Sequence, residues 1–284
     1  MRDQKQHMAE FGDFQTPVDL AREVCSLIAR TGFYPSSVLE PTCGSGSFIS
    51  ASLGTFPYVS RVLGFEVNEY YAEQTRRAAA VIPSRAIIEI HQSDFFFVNW
   101  PKIVAGLPEP ILIVGNPPWV TNTQLSTLGS NNLPSKSNID NLRGIDALTG
   151  KSNFDISEWM LRKSLEWLAG RDGILAVLCK TSVARKVLVS AWQRNATITS
   201  AAVYRVDAKQ HFGAAVDACL LMIRTGPTGR TKECCEYDSL NSQQPCGVFG
   251  LRDGMLVANI EAYEKWRGLV VTGMKGWRSG IKHD

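Results

Sequence analysis

Short apolar runs of strand length alternate along the chain with segments whose apolar residues recur at helical spacing. The first helical segment is predicted to begin at Thr16-Pro17, with Thr as N-cap, and to end at Gly32. The last two apolar runs, 198–206 and 211–225, share only a short connection and predict an antiparallel pair at the sheet edge. The order of elements therefore predicts one doubly wound α/β sheet.

A glycine-rich turn follows the first predicted strand, which ends in Glu40. The turn, Thr42-Cys43-Gly44-Ser45-Gly46-Ser47, leads into a helix predicted to begin near Phe48. Glycines let a ligand approach the backbone closely, and a helix N-terminus favours a carboxylate or a phosphate. The dinucleotide fingerprint G-x-G-x-x-G/A is not met, because Ile49 stands at its third position. The acid before the glycines favours a ligand with a positive charge at that point over a pyrophosphate.

The next two predicted strands also end in acids, Glu66 and Asp94. A carboxylate about twenty residues after a glycine-rich turn is placed to accept hydrogen bonds from ribose hydroxyls. The alternative for Glu66 is an acid that caps the following helix, Glu69 to Ala80. Asp94 and Phe95 can bracket a purine, with the acid accepting from the exocyclic amine. An Asp-Phe pair after a strand is also an ordinary turn followed by a core residue.

The fourth predicted strand, Ile111 to Val114, runs into the loop Gly115-Asn116-Pro117-Pro118-Trp119. Two successive prolines stiffen this loop, which lies at the carboxyl end of a strand, where open α/β sheets bind ligands. Its amide, its carbonyls and its aromatic face can accept hydrogen bonds from an exocyclic amine and stack on a planar ring. Taken alone, the segment is equally consistent with a surface turn whose Trp covers an apolar patch. The series of polar strand ends favours a ligand site.

The composition indicates the class of protein but says little about the reaction or the ligand. The chain has 284 residues, of which 44% are hydrophobic and 20% charged, so it is predicted to be globular. A net charge of +3 permits a nucleic-acid partner but does not indicate one. Seven cysteines without a CxxC pair predict reduced thiols and no metal site. No apolar run is long enough for a membrane span and no signal sequence is recognised, so a cytoplasmic protein is expected.

Two polar segments interrupt the pattern. Residues 121–153 are rich in Asn, Ser, Gly and Thr and predict a long functional or disordered loop. Residues 226–284 begin as a polar, linker-like stretch and continue as a strand or two and a short helix. The predicted division is therefore a catalytic domain over 1–225, followed by a linker and the start of a C-terminal region over 226–284.

Taken in order, Thr-Pro, EPTCGSGSF, FEVN, SDFF, NPPW and HFGAAVDACLLMI resemble the motifs of amino-methylating DNA methyltransferases. The chain is similar to the adenine-N6 branch found among modification enzymes of restriction systems, over roughly residues 11 to 225. The resemblance implies the fold of S-adenosylmethionine-dependent enzymes, a seven-stranded Rossmann-like sheet with the last strand antiparallel. It also implies that the target adenine is flipped out of duplex DNA.

The resemblance assigns roles residue by residue. The cofactor-binding residues that it implies are Thr16, Glu40, Thr42, Cys43, Gly44, Gly46, Glu66, Asp94, Phe95 and Asn116. Asn116, Pro117, Pro118 and Trp119 are expected to hold the target base, with Phe212 packing on its other side. The family often has Tyr where this chain has Trp119, which keeps the stacking face and drops the hydroxyl.

Relatives of this branch normally carry a large C-terminal target-recognition domain. The chain is therefore expected to be the catalytic part of a larger enzyme, with recognition in a missing C-terminal domain or a separate specificity subunit. Three alternatives remain. Glutamine methyltransferases of release factors and RNA guanine-N2 methyltransferases use the same chemistry. A non-catalytic, cofactor-binding subunit that docks on DNA would be expected to have a damaged loop, whereas Asn116 to Trp119 is intact. Adenine methylation is the favoured interpretation.

Overall fold

Residues 14–120 and 155–269, which a computed structural model describes, contain ten strands in a single sheet. The strands are β1 (Ser37–Glu40), β2 (Arg61–Glu66), β3 (Ile87–Gln92), β4 (Ile111–Gly115), β5 (Gly173–Lys180), β6 (Ile198–Val206), β7 (Ala218–Thr225), β8 (Glu233–Tyr237), β9 (Gly247–Arg252) and β10 (Met255–Val257). The described helices are α1 (Val18–Arg30), α2 (Ser47–Thr55), α3 (Glu69–Ala80), α4 (Trp100–Ala105), α5 (Ile156–Trp167), α6 (Thr181–Gln193), α7 (Ala208–Phe212) and α8 (Ile260–Trp266). The predicted polar segment over 121–153 lies outside the described residues.

The first seven strands are arranged in the order β3-β2-β1-β4-β5-β7-β6. β1 to β5 pair in parallel, and β7 lies antiparallel between β5 and β6. This confirms the predicted doubly wound sheet with an antiparallel last strand. The strand order reverses between the neighbours β1 and β4, and open α/β sheets bind ligands at such a switch point.

Three further strands extend the sheet beyond β6. β8 pairs with β6 in parallel, and β9 and β10 follow antiparallel. The prediction that β6 and β7 form the edge of the sheet was therefore wrong. The stretch interpreted as a linker itself contains β8. β8 was not predicted from the sequence because it shows no clear apolar periodicity. Only Cys234 of its five residues is fully buried.

Alternate residues of the strands feed two apolar layers, one on each face of the sheet. Val38 packs with α1 and α2, whereas its neighbour Leu39 packs with α5 and α6. Trp159 and Trp167 of α5 border the second layer, and Trp167 stacks on Trp100 at 4.8 Å between centroids. The tryptophans of α5 therefore pack against the core.

The start of α1 differs from the prediction. The helix begins at Val18 with Pro17 as N-cap, and no side chain caps it. Thr16 instead uses its carbonyl to accept a hydrogen bond from Ser47 Oγ at 2.6 Å. This hydrogen bond joins residues that are distant in sequence. It holds the segment before α1 against the end of the glycine-rich turn.

Candidate active site

A cavity of about 400 Å³ opens at the carboxyl ends of β1 to β4, on both sides of the switch point. This volume lies in the range of small-molecule sites. Nine of the ten predicted cofactor-binding residues line it: Thr16, Glu40, Thr42, Cys43, Gly44, Glu66, Asp94, Phe95 and Asn116. The tenth, Gly46, is not part of the wall but shapes the turn that forms it. The predicted strand-end series therefore meets in one place.

The glycine-rich turn needs two residues in the left-handed region. Gly44 has φ +50° and Gly46 has φ +82°, conformations that side chains rarely adopt. A Cβ added to Gly46 would lie 2.6 Å from Thr75 Cγ2, inside van der Waals contact. Thr75 Oγ1 in turn donates to Gly44 O at 2.9 Å. The turn is thus fixed against α3 from behind, with its other side facing the cavity.

Glu66 ties the end of β2 to this turn. Its Oε2 accepts from Gly44 N at 2.8 Å and its Oε1 accepts from Asn68 N at 2.9 Å. Asn68 is the N-cap of α3, since its side chain accepts from Tyr70 N. The alternative interpretation of Glu66 as the helix cap is therefore wrong. Its carboxylate is oriented at the cavity wall, where hydroxyl donors of a ligand can reach it.

Asp94 and Phe95 combine both interpretations that the sequence left open. Asp94 Oδ1 accepts from Phe96 N at 2.9 Å and starts a 3₁₀ turn over Phe95–Phe97. Phe95 is buried and contacts Trp100 at 4.9 Å between centroids. Both residues nevertheless line the cavity. The same pair is thus a turn, a core contact and a wall of the site.

Glu40 is a buried acid next to the glycine-rich turn. Burial raises the pKa of its carboxyl well above the usual range, more than the hydrogen bond from Ile49 N lowers it. Cys43 is also buried, and burial together with the charges of Glu40 and Glu66 raises the pKa of its thiol. Cys43 is therefore a neutral thiol at physiological pH, whereas Glu40 can become an anion if a cation is bound beside it.

Asn116 is held in one orientation at the end of β4. Its Nδ2 donates to Phe14 O at 2.9 Å. Its Oδ1 is buried, and within the described part of the chain it has no hydrogen-bond partner. A buried acceptor without a donor is costly in a folded protein. The amide therefore presents an unused acceptor at a wall of the cavity.

The two prolines of the loop face different spaces. Pro118 lines the main cavity, and Pro117 lines a small adjacent one of about 20 Å³ beside Met160 and Leu161. Since neither proline has a backbone N–H, neither can donate a backbone hydrogen bond that fixes the loop.

Three aromatic rings meet beyond Asn116. Phe14 lies 5.6 Å from Trp119 and 5.9 Å from Phe212, and Trp119 contacts Phe212 edge-on at 5.2 Å. The structure thus brings together the two rings expected to enclose a base. At this separation, however, the rings touch each other, and Trp119 is only 5% exposed. With these ring positions, a base cannot lie between Trp119 and Phe212.

Phe14 and Gln15 are site residues that the sequence did not identify. Phe14 supplies the carbonyl for Asn116, and Gln15 Oε1 accepts from Ser45 N at 2.8 Å. Both line the cavity. Both residues lie just before the first predicted helix, in a polar segment that shows neither helical nor strand periodicity. Only their proximity to Thr16-Pro17 indicated a role in the site.

Two further properties concern the described residues only. They contain no group of three or more His, Cys, Asp and Glu side chains arranged to hold a metal ion. None of the helices over 14–120 and 155–269 has the length and apolar character that a membrane crossing requires.

No model of a known protein family matches the chain. It is 38% identical to the type II methyltransferase M.NspV from Nostoc sp. over 276 residues, which are 97% of this chain and 57% of that relative. It is 33% identical to the type II methyltransferase M.CvrRI from Paramecium bursaria Chlorella virus XZ-6E over 118 residues, or 41% of this chain and 27% of that relative. The chain therefore spans little more than half the length of the first relative and less of the second.

Solved structures share the fold at low sequence identity. A Listeria monocytogenes protein assigned to the class I S-adenosylmethionine-dependent methyltransferases matches with a TM-score of 0.53 and 15% identity, over 80% of this chain and 67% of its own. The type IIG restriction endonuclease BpuSI matches with a TM-score of 0.52 and 14% identity, over 88% of this chain and 31% of its own. The chain thus has the Rossmann-like α/β fold of methyltransferases, and nearly all of its length is similar to a type II methyltransferase.

Proposed function

We propose that this chain binds S-adenosylmethionine and methylates the N6 amine of an adenine flipped out of duplex DNA, as the modification enzyme of a restriction system does. The observation that carries the proposal is Asn116 Oδ1, a buried acceptor without a partner among the described residues, at the wall of the cavity. Similarity to type II methyltransferases supports the proposal independently.

The hydrogen-bond acceptors and the aromatic ring of the cavity fit the proposed cofactor. Glu66 lines the cavity and would accept from the ribose hydroxyls, and Asp94 with Phe95 would hold the adenine ring. Glu40 and the turn Thr42–Gly46 suit the methionine part, whose ammonium group can pair with the buried acid. When bound, the cofactor supplies an activated methyl group on a sulfonium, so the protein needs no general base to activate the donor.

Asn116 would act on the amine that receives the methyl group. The lone pair of an aromatic exocyclic amine is delocalised into its ring, which makes the amine a poor nucleophile. Asn116 Oδ1 and the carbonyl of Pro117 can accept the two N–H groups and draw the nitrogen toward a tetrahedral shape. Because Phe14 O fixes Nδ2, the amide presents its acceptor and not its donor to the amine. Catalysis of this kind rests on positioning and preorganised electrostatics.

Entry of the base requires the aromatic cluster to open. Trp119 and Phe212 touch edge-on, and Phe14 contacts both rings. We infer that Phe14 or Phe212 moves aside when the flipped base stacks on Trp119. Each such aromatic contact recovers about 1–3 kcal/mol of the stacking that the base loses on leaving the duplex.

Recognition of a DNA sequence requires more surface than the cavity offers. Base-edge contacts are spread over an interface much larger than a pocket for one nucleotide. We place this function in a C-terminal recognition region or a separate specificity subunit. The modest net charge of +3 is consistent with that division.

The deciding experiment is methyl transfer from isotope-labelled S-adenosylmethionine with the protein that the intact gene encodes. Duplex DNA, RNA and a glutamine-containing peptide are offered in parallel, and labelled nucleosides are separated. The expected product is N6-methyladenine in DNA. Label in cytosine, in RNA guanine or in the peptide would contradict the proposed substrate.

The affinity for S-adenosylmethionine is expected to rise with pH above the usual carboxyl range, because Glu40 must be ionised to pair with the ammonium group. Burial raises the pKa of Glu40 in the free protein, whereas a bound cation lowers it. Between these two pKa values, binding releases a proton and strengthens as pH rises. Calorimetry in buffers of different ionisation enthalpy measures the released proton.

Glu40→Gln is the matched control, because its amide oxygen can still accept from Ile49 N. It should bind the cofactor more weakly and without proton release. Stability of the free protein changes with the opposite sign. The contribution of Glu40 is present below its unfolded pKa of about 4.3 and is lost as pH rises through the raised folded pKa. Proton release that persists in Glu40→Gln would disprove the assignment.

A further inference from the structure

The end of β5 supports the aromatic residue of the neighbouring catalytic loop. β5 pairs in parallel with β4, so the two strands end side by side. Trp119 Nε1 donates to Leu178 O at 3.4 Å, and Lys180 Nζ donates to Trp119 O at 3.1 Å. Trp119 is therefore bound at its indole and at its backbone by one strand.

This external support matters because the loop can do little to hold itself. Pro117 and Pro118 donate no backbone hydrogen bonds. Among the described residues, the carbonyl of Trp119 is held by Lys180, and the next carbonyl, Val120 O, accepts from Ile156 N at 3.0 Å. The lysine is thus a donor from outside the loop to the backbone of its stacking residue.

Lys180 is itself oriented by a buried acid. Its Nζ lies 2.7 Å from Asp155 Oδ2, and the two side chains are 24% and 7% exposed. Asp155 uses its other oxygen to accept from Ser157 N at 3.0 Å and so caps α5. Asp155 is the buried partner, and removal of Lys180 would leave its charge uncompensated. The ammonium group is thereby locked between the start of α5 and the catalytic loop.

We propose that Lys180 is a positioning residue for methyl transfer: with Asp155, it fixes the backbone of Trp119 and thereby the plane on which the target base stacks. This inference rests on the proposed function of the loop. Lys180 contributes no atom to the reaction. Its effect acts through Trp119, and a misplacement of the stacking plane by about 1 Å is enough to slow an enzyme by about 100-fold.

Lys180→Met keeps the length of the side chain and removes its charge and donors. We expect kcat to fall by about 10- to 100-fold while KM for S-adenosylmethionine changes little, since Lys180 does not line the cofactor cavity. Lys180→Arg should restore much of kcat, because a guanidinium can donate to both Asp155 and the Trp119 carbonyl. Asp155→Asn should lower kcat in the same way, and the double variant should be no worse than Lys180→Met alone.

Lys186→Met is the matched control. Lys186 pairs with Glu158 at 3.5 Å in the same region, and its side chain is 60% exposed. Within the described residues, its ion pair is with Glu158 and not with the loop over residues 115–119. Its removal should leave kcat unchanged. A fall of kcat equal to that of Lys180→Met would show a general electrostatic effect and overturn the proposal.

A readout independent of activity separates this inference from the proposed function. The protein is labelled with 5-fluorotryptophan, and the fluorine resonance of Trp119 is assigned by its loss in Trp119→Phe. Lys180→Met should shift or broaden that resonance, and Lys180→Arg should restore it. An unchanged resonance in Lys180→Met overturns the positioning role, even if the thermal midpoint falls. A shifted resonance in a protein that methylates none of the three substrates shows that Lys180 positions Trp119, and it rejects the proposed function.

Discussion

Asn116→Ala is expected to abolish methyl transfer while leaving the affinity for S-adenosylmethionine nearly unchanged. The variant removes the buried Oδ1 that would accept from the target amine, an interaction made most strongly in the transition state. Loss of one such preorganised hydrogen bond lowers kcat by about 100- to 1000-fold in well-studied enzymes. Single-turnover methylation with saturating cofactor measures the chemical step, and calorimetry measures cofactor binding.

Asn116→Asp is the informative control for this prediction. It keeps an acceptor at Oδ1 but replaces the Nδ2 donor with a second oxygen, which then opposes Phe14 O across 2.9 Å in the native geometry. The carboxylate should turn away from that carbonyl, so activity is expected to lie between the wild-type and Asn116→Ala levels. If Asn116→Ala retained more than a few per cent of the wild-type rate, Asn116 would not be the group that activates the amine.

The candidate cleft could be predicted from sequence because parallel strands end along the same edge of the sheet. Glu40, Glu66, Asp94 and Asn116 each stand at or just after the end of an apolar run. Carboxyl ends of parallel strands lie along one edge of a sheet, so four separate strand ends define one cleft. The apolar runs located the four strand ends, and in the structure all four residues line one cavity.

The remaining parts of the site depend on long-range contacts that leave no periodic pattern in the local sequence. Phe14 reaches Asn116 through a backbone carbonyl, and any residue type offers such a carbonyl, so its identity carried no signal. Lys180 is the last residue of an apolar strand, where a surface lysine is ordinary, and only the pairing of β4 with β5 brings it to Trp119. Trp119 and Phe212 lie together as expected, but they touch edge-on, and nothing in the sequence indicated this arrangement.

Gly46→Ala is expected to destroy cofactor binding and to lower stability more than an ordinary left-handed glycine substitution does. Adopting φ +82° costs an L-residue about 1–2 kcal/mol. The new Cβ would also lie 2.6 Å from Thr75 Cγ2 and 2.8 Å from Thr75 Oγ1. Thr75 is 1% exposed and cannot swing into solvent. Its displacement would break the hydrogen bond to Gly44 O and open the turn that faces the cavity.

Gly32→Ala separates the backbone cost from the clash. Gly32 has φ +77° at the end of α1, and a Cβ there meets no atom within 4 Å. This variant should lower the free energy of unfolding by about 1–2 kcal/mol and leave cofactor affinity intact. Thr75→Ser in the Gly46→Ala background removes Cγ2 and keeps the hydroxyl, so it should recover part of the binding. Chemical denaturation and calorimetry on the three variants test the turn directly. The prediction would be contradicted if Gly46→Ala and Gly32→Ala lost equal stability and both retained their cofactor affinity. Thr75 would then move without disturbing the turn, and the shape of the cavity would not depend on Gly46.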